Sequence, residues 1–245
     1  MNRCPICNEV IIDNEYKCPK CGLDFEPFNK DDYEINERME IKNYFGKGEN
    51  ILIPEGYTAI WSWAFTNDEN LRTISLPDSL RRISSKAFQQ SPVKHISFGS
   101  NLEEIGGNAF ENSDIEEIYI ESNKKLNIPM SYSFAGMKQL KKVFIKAPSI
   151  YMGSNVFTDS SSLEEVCLYG ANDYGFFSFD GCIGLKKVYI SKTTTHLVNF
   201  MFKKCPNLEK IYYEGTKEDF SKIGLVINED IEVIYEISLE DYLKV

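Results

Sequence analysis

Histidine is scarce in this chain of 245 residues: His95 and His196 are the only two, and they fall in different parts of the sequence. No serine–histidine–acid grouping and no glycine-rich phosphate loop is present. The adjacent pairs Glu103-Glu104, Glu116-Glu117 and Glu164-Glu165 recur at solvated positions and do not form a convergent carboxylate pair. Without convergent acid, base and nucleophile the sequence reads as a non-enzyme with no small-molecule substrate. Long apolar runs are also missing. No stretch approaches the ~18 apolar residues of a membrane span, and the opening residues lack the apolar core of a secretion signal. The expectation is a cytoplasmic protein without membrane attachment. Basic residues are in deficit, 27 Lys and Arg against 37 Asp and Glu, for a net charge of -10. The imbalance belongs to the ends: residues 1–46 carry about -4 and 214–245 about -6, and the middle is close to neutral. Such a chain is repelled by phosphate backbones, which argues against nucleic acid as a partner of the whole protein.

Cysteine is present in odd number, seven, which does not suit a disulfide framework. Four of the seven stand in two CxxC pairs, Cys4-Pro-Ile-Cys7 and Cys18-Pro-Lys-Cys21, with ten residues between them. Each pair can form a knuckle that aims two sulfurs at one point, and four thiolates around one point favour a single tetrahedral zinc ion. A closed Cys4 site leaves no open coordination position, so the metal is expected to be structural. Gly22 follows the second knuckle where positive φ is needed, and Asn8 stands at the matching place after the first. The segment between the knuckles could fold as a hairpin with Asp13-Asn14 near its tip. This stretch resembles the short zinc-ribbon domain at the N-terminus of many bacterial proteins. Some such ribbons bind nucleic acid or protein, and Arg3, Lys17 and Lys20 lie on these knuckles.

Phe65, Phe88, Phe110, Phe134, Phe157, Phe179 and Phe202 recur with a period of about 23 residues, the signature of a solenoid. An apolar residue stands five places before most of them: Ile60, Ile83, Ile105, Met152, Tyr174 and Leu197, with Pro129 in the fourth copy. After each phenylalanine comes a strand pattern, apolar at its first, fourth and sixth places, from LRTISL at Leu71 to LEKIYY at Leu208. The fourth and sixth residues should enter the core and the third and fifth should point outward. Ile83 and Ala87 would share one face of a helical turn.

The full pattern, LxxIxL followed by LPxxLxxIxxxAF, resembles the BspA-like leucine-rich repeat family of bacterial proteins and covers about 50–213. The resemblance implies an α/β repeat solenoid: a right-handed leucine-rich repeat coil with a parallel concave β-sheet, here preceded by a small zinc ribbon. Later turns replace the alanine with Ser133, Val156, Ser178 and Met201, so those coils should pack more loosely. The expected organisation is a ribbon over 1–26, a linker and cap over 27–49, repeats over 50–213 and a second cap over 214–245. In the first cap, alternation at Tyr33, Ile35, Met39 and Ile41 suits a hairpin turning at Asn36-Glu37-Arg38, with a helix as the alternative. In the second, Thr216 and Ser238 are helix-capping residues, the segment ending in Tyr242 and Leu243 could be docked or free, and Tyr235 could extend the strand column.

The fifth strand position reads Leu52, Ser75, Ser97, Tyr119, Phe144, Cys167, Tyr189 and Tyr212, with successive residues expected about 4.8 Å apart. Its aromatic half is bordered at the third position by Lys142, Lys187 and Lys210. Tyr119, Phe144, Tyr189 and Tyr212 with these lysines are the candidate surface for a protein partner. A ladder of aromatics that stabilises only the sheet is the competing interpretation. Cys182 and Cys205 fall in turns as buried thiols, and Cys167, at an outward strand position, fits the ladder as a small hydrophobe, with a reactive or solvent-facing thiol as the alternative. The function expected is an intracellular protein–protein interaction module. The alternatives are an immunity or antitoxin-like neutraliser of a protein and a nucleic-acid-linked adaptor acting through the ribbon.

Overall fold

Strands alternate apolar and polar residues at the fourth to sixth pattern positions, and the chain uses that alternation to stack coil on coil. A computed structural model describes residues 1–12, 15–66, 68–129, 131–197 and 200–245, with the side chain of Asp173 outside the description. One ladder of parallel strands runs Asn50–Leu52, Thr73–Ser75 and His95–Ser97. It resumes at Glu117–Glu121 and continues through Lys142–Met152, Glu165–Tyr174, Lys187–Ile190 and Lys210–Tyr213 to Glu232–Ile234. A second ladder joins Glu40–Tyr44, Ala59–Ile60, Arg82–Ile83, Glu104–Ile105 and Leu126–Ile128. The two ladders become continuous in the long strands Lys142–Met152 and Glu165–Tyr174. Every fourth and sixth residue is buried, from Ile74 and Leu76 to Ile211 and Tyr213. The core is therefore one continuous column of aliphatic side chains.

The phenylalanines occupy the other edge of this column. Phe65, Phe88, Phe110, Phe134, Phe157, Phe179 and Phe202 stack ring on ring at centroid spacings of 4.8 to 5.6 Å. Tyr44 extends the stack into the hairpin of Tyr33–Ile35 with Glu40–Tyr44, which closes the first coil. The segment expected as a helical turn is instead a sequence of tight turns. Two places before the first six phenylalanines a residue (Trp63, Lys86, Asn108, Tyr132, Asn155, Phe177) takes positive φ, as does one two places after the last six (Gln90, Asn112, Gly136, Asp159, Gly181, Lys204). A left-handed residue interrupts the run of helical bonds, and the freed N–H groups reach the next coil. Phe88 N donates to Ala109 O at 2.7 Å and Phe110 N to Ser133 O at 2.8 Å. No position in either set is β-branched, as the steric cost of positive φ requires.

Several expectations are corrected. In the fourth coil Ile128, not Pro129, takes the apolar place and pairs with Met152, the slip being absorbed in the longer spacing between Phe110 and Phe134. The later coils are not loose: Ser133, Val156, Ser178 and Met201 are fully buried. Only the last step of the stack, Phe179 to Phe202, opens, to 5.6 Å with a 20° tilt. Ile234, not Tyr235, continues the strand column beside Tyr212. Tyr235 turns against Phe220, and this register leaves Glu236 exposed rather than in the core. Cys182 is buried and Cys205 partly so. Their thiols donate to the carbonyls of Phe157 and Phe179 as the Ser160 hydroxyl does to Phe134.

Two substitutions test this packing by urea denaturation. Phe110→Ala should cost about 3–5 kcal/mol, since it opens a cavity in the middle of the stack. Gly170→Ala should cost at least about 1–3 kcal/mol, because Gly170 has φ 96° and a Cβ there would collide with the carbonyl oxygen of Ala147. A cost within about 0.5 kcal/mol for either, the range of surface changes, would contradict the arrangement.

Candidate functional site

The two cysteine knuckles are near-copies of one another. Asn8 N donates to Cys4 O and Gly22 N to Cys18 O, and Cys4 N and Cys18 N donate to Glu9 O and Leu23 O. Asn8 takes φ 59° and Gly22 φ 77°, so asparagine supplies the left-handed turn at the place where glycine is absent. The knuckles bring Cys4 Sγ to 3.5 Å from Cys21 Sγ and Cys7 Sγ to 3.5 Å from Cys18 Sγ. All four sulfurs lie within 4.8 Å of one another. A Zn–S bond of about 2.3 Å puts tetrahedral ligands roughly 3.8 Å apart, so the cluster fits one such ion. Val10–Ile11 returns to Asn2–Arg3 and Lys17 bridges to Asp24, and in the segment expected as a hairpin between the knuckles Glu15 N donates to Ile12 O at 2.9 Å. Its expected tip, Asp13 and Asn14, lies outside the described residues. Arg3 is engaged by Asn8 O and Lys17 by Asp24.

The strand column is in register as expected, Tyr119 beside Phe144, then Cys167, Tyr189 and Tyr212, but most of it is covered. At one end the cysteine module sits on it. Asn2 Nδ2 donates to Ile53 O at 2.9 Å and to Ser75 Oγ at 3.1 Å. Ser75 Oγ and Ser97 Oγ both donate to Arg3 O, at 2.9 and 2.6 Å. Leu52 packs with Cys4, Ile11, Cys18 and Phe25. The small residues at the start of the column are thus the seat of the module, and smallness at consecutive outward positions was the available sequence signal.

At the other end the C-terminal segment covers the column. Leu239–Tyr242 is a short helix capped by Ser238, and Tyr242 inserts its ring against Tyr189 at 4.9 Å and Tyr212 at 5.1 Å. Tyr189 is 0% and Tyr212 4% exposed, which corrects their expected place on an open face: the chain's own tyrosine occupies them. The Tyr242 hydroxyl donates to Glu165 Oε1 at 2.7 Å, while Lys142 and Lys187 reach the same carboxylate at 3.1 and 3.3 Å. Burial by itself would raise the Glu165 carboxyl; the Tyr242 hydroxyl and the lysines outweigh it and hold it below its ordinary range. Lys187 also lies 5.5 Å from the Tyr242 ring centroid, and Lys210 pairs with Glu232. Cys167 is buried beneath this cluster, its thiol pushed up to about 12 by burial, so it is packing and not a reactive thiol.

Between the two covers Tyr119 and Phe144 remain accessible. Their rings stack at 4.7 Å and 9°, Tyr119 is 45% exposed and Phe144 is half-buried. Burial, with Glu121 nearby, pushes the Tyr119 phenol up to about 12, so it stays protonated. Beside the pair opens a cleft of about 790 Å³ between the cysteine module and the strands, lined by Arg3, Ile6, Phe98, Glu117, Tyr119 and Lys146 among others. It lies where the first ladder breaks between His95–Ser97 and Glu117–Glu121. Among the described residues no helix is long and apolar enough to cross a membrane.

No curated protein matches the chain in sequence. Among solved structures, a leucine-rich repeat protein of T. pallidum is similar at 20% identity, covering 77% of this chain and 86% of that one with a TM-score of 0.54. A leucine-rich cell surface protein of Faecalibacterium prausnitzii is 19% identical over 74% of this chain, with a TM-score of 0.38. The match spans 63% of that protein, less than two thirds of its length. A leucine-rich repeat protein of Bacteroides ovatus is 20% identical over 83% of this chain and 68% of its own, with a TM-score of 0.41. At such identities the likeness bears on the fold, and the first of the three carries it. The BspA type leucine rich repeat region matches in six copies over residues 42–132 and 124–225, well over half of the sequence. With stacked strands and a phenylalanine column under those same residues, this chain belongs to the BspA-type leucine-rich repeat family, a class of repeat proteins that generally serve as protein-interaction scaffolds.

Proposed function

We propose that this protein is an interaction module that holds a protein partner against its strand face at Tyr119 and Phe144, with a structural zinc ion in the N-terminal ribbon. One observation carries the reading: on a face whose two ends are covered by the chain itself, a stacked aromatic pair is left exposed beside an open cleft. Aromatic side chains at the centre of a recessed surface, rimmed by polar groups, are the usual anchors of protein recognition. Lys142 stands exposed at the rim, and the seven thiols, all free, suit a reducing compartment such as the cytoplasm.

Cys4, Cys7, Cys18 and Cys21 would hold the zinc, which would tie the knuckles together and leave no position for a reacting water. The ribbon's part in binding is architectural: it forms one wall of the cleft through Arg3, Pro5 and Ile6. The engagement of Arg3 and Lys17 within the ribbon weakens the nucleic-acid adaptor reading. A neutraliser of a basic protein would use the same face and is favoured by the acidic ends.

Two experiments check this. Protein purified under reducing conditions should carry about one zinc per chain, and Cys18→Ser should lose it while the circular dichroism of the repeats persists. Metal-free protein from a zinc-replete preparation would refute the site. A partner captured by the native chain should be lost when Tyr119 and Phe144 are both changed to serine, with zinc content and thermal melting unchanged. Retention of the partner by that double variant would move the binding surface elsewhere.

A further inference from the structure

We infer that the covered half of the column, Cys167, Tyr189 and Tyr212, is a receptor trench for a tyrosine carried on a capped helical turn, and that the chain's own 238–245 segment is a resident ligand which a partner protein presenting such a turn replaces. The structure supplies the template of the bound state. Ser238 caps the turn by accepting from Asp241 N, Tyr242 enters between two tyrosine rings, and its hydroxyl ends on Glu165. Lys142 and Lys187 surround that carboxylate, and Lys187 lies against the entering ring. On the resident turn Glu240 and Asp241 pair with Lys244 of the same segment and the rim lysines stay on Glu165, so the trench selects the tyrosine ring and its hydroxyl.

The seating is that of a removable ligand more than of a cap. Tyr242 is the buried residue of the short helix, and Glu240, Asp241, Leu243, Lys244 and Val245 are all exposed. Leu243 at 60% and Val245 at 72% exposure leave apolar surface undocked. Glu236, just before the segment, takes φ 57°, a left-handed break that separates the turn from the last strand. The segment has one fully buried anchor, Tyr242, with Ile237 and Leu239 only half-buried beside the same cluster, and so light a hold belongs to the low-stability end of a fold and opens without the coils opening. When it leaves, Tyr189 and Tyr212 join Tyr119 and Phe144 in one continuous accessible row, so the same event that frees the trench enlarges the partner face. This inference rests on the strand face being the partner surface, and its test addresses the trench separately.

The test uses the full chain with Tyr242→Ala, which vacates the trench, and a fluorescent peptide of residues 237–245. The peptide should bind the variant at least tenfold more tightly than the native chain, whose trench is filled. The same peptide carrying Tyr242→Ala should show no saturable binding, and adding Glu165→Gln to the protein variant should weaken the native peptide. In the native chain the amides of 242–245 should exchange at least a hundredfold faster than those of Val188 and Ile211. Equal affinity for native and variant protein, no binding by a folded variant, or tail amides as slow as the strands would overturn the inference. So would unfolding of Tyr242→Ala, which would make the tyrosine part of the core. A concentration-dependent native dimer that Tyr242→Ala abolishes would name a second copy as the occupant and overturn exchange with a different protein. Loss of partner capture in the Tyr119 and Phe144 variant, alongside a negative peptide result, would leave the binding face standing and remove only the trench.

Discussion

The hydrogen bond from one coil to the next sets every other dimension of this protein. Backbone N–H groups in both ladders and in the turns bond to carbonyls one coil away, which fixes the coil spacing at the ~4.8 Å of neighbouring strands. A flat ring is the side chain that fills such a gap with little waste, hence phenylalanine stacked through seven coils nearly face to face. The left-handed residues on either side of it follow from the same constraint. They turn amides toward the neighbouring coil that a helix would have used internally.

A solenoid built this way has an exposed first and last coil, and its strand face repeats the same column of side chains along its length. Here the coil ends are closed by the hairpin of Tyr33–Ile35 with Glu40–Tyr44 and by the helix Lys217–Lys222 carrying Phe220. The strand face is treated separately. The cysteine module takes the half of the column where the side chains are small, and the C-terminal tyrosine takes the half where they are aromatic. What is left between them is a narrow window, and the fold thereby confines any partner to a few coils.

The electrostatics of this face are local. Among the described residues Glu165 is the one carboxylate that gathers a hydroxyl and two ammonium groups on the strand face, whereas pairs such as Arg81–Glu103 and Lys186–Glu164 are exposed and each contributes only about 0–1 kcal/mol. Stability therefore comes from the buried aliphatic and aromatic columns, and charge serves to place and release what docks on them.

Sequence by itself determined the repeating architecture, because a period of apolar residues can be satisfied only by stacking coils, and it determined the cysteine cluster, because two CxxC pairs with a positive-φ residue after each can converge only as knuckles. It also determined the order of the column from Tyr119 to Tyr212, since strand alternation fixes which residues face outward. Which of those residues remain accessible was decided by tertiary structure. Asn2 and Tyr242 lie at opposite ends of the chain and carry no periodic signal, yet they select which part of the face is buried. The slip that puts Ile128 in place of Pro129 and the register that brings Ile234 beside Tyr212 were likewise settled in three dimensions. In both cases a one-residue shift is cheap locally and is chosen by the neighbouring coil, which supplies the hydrogen bonds and the space.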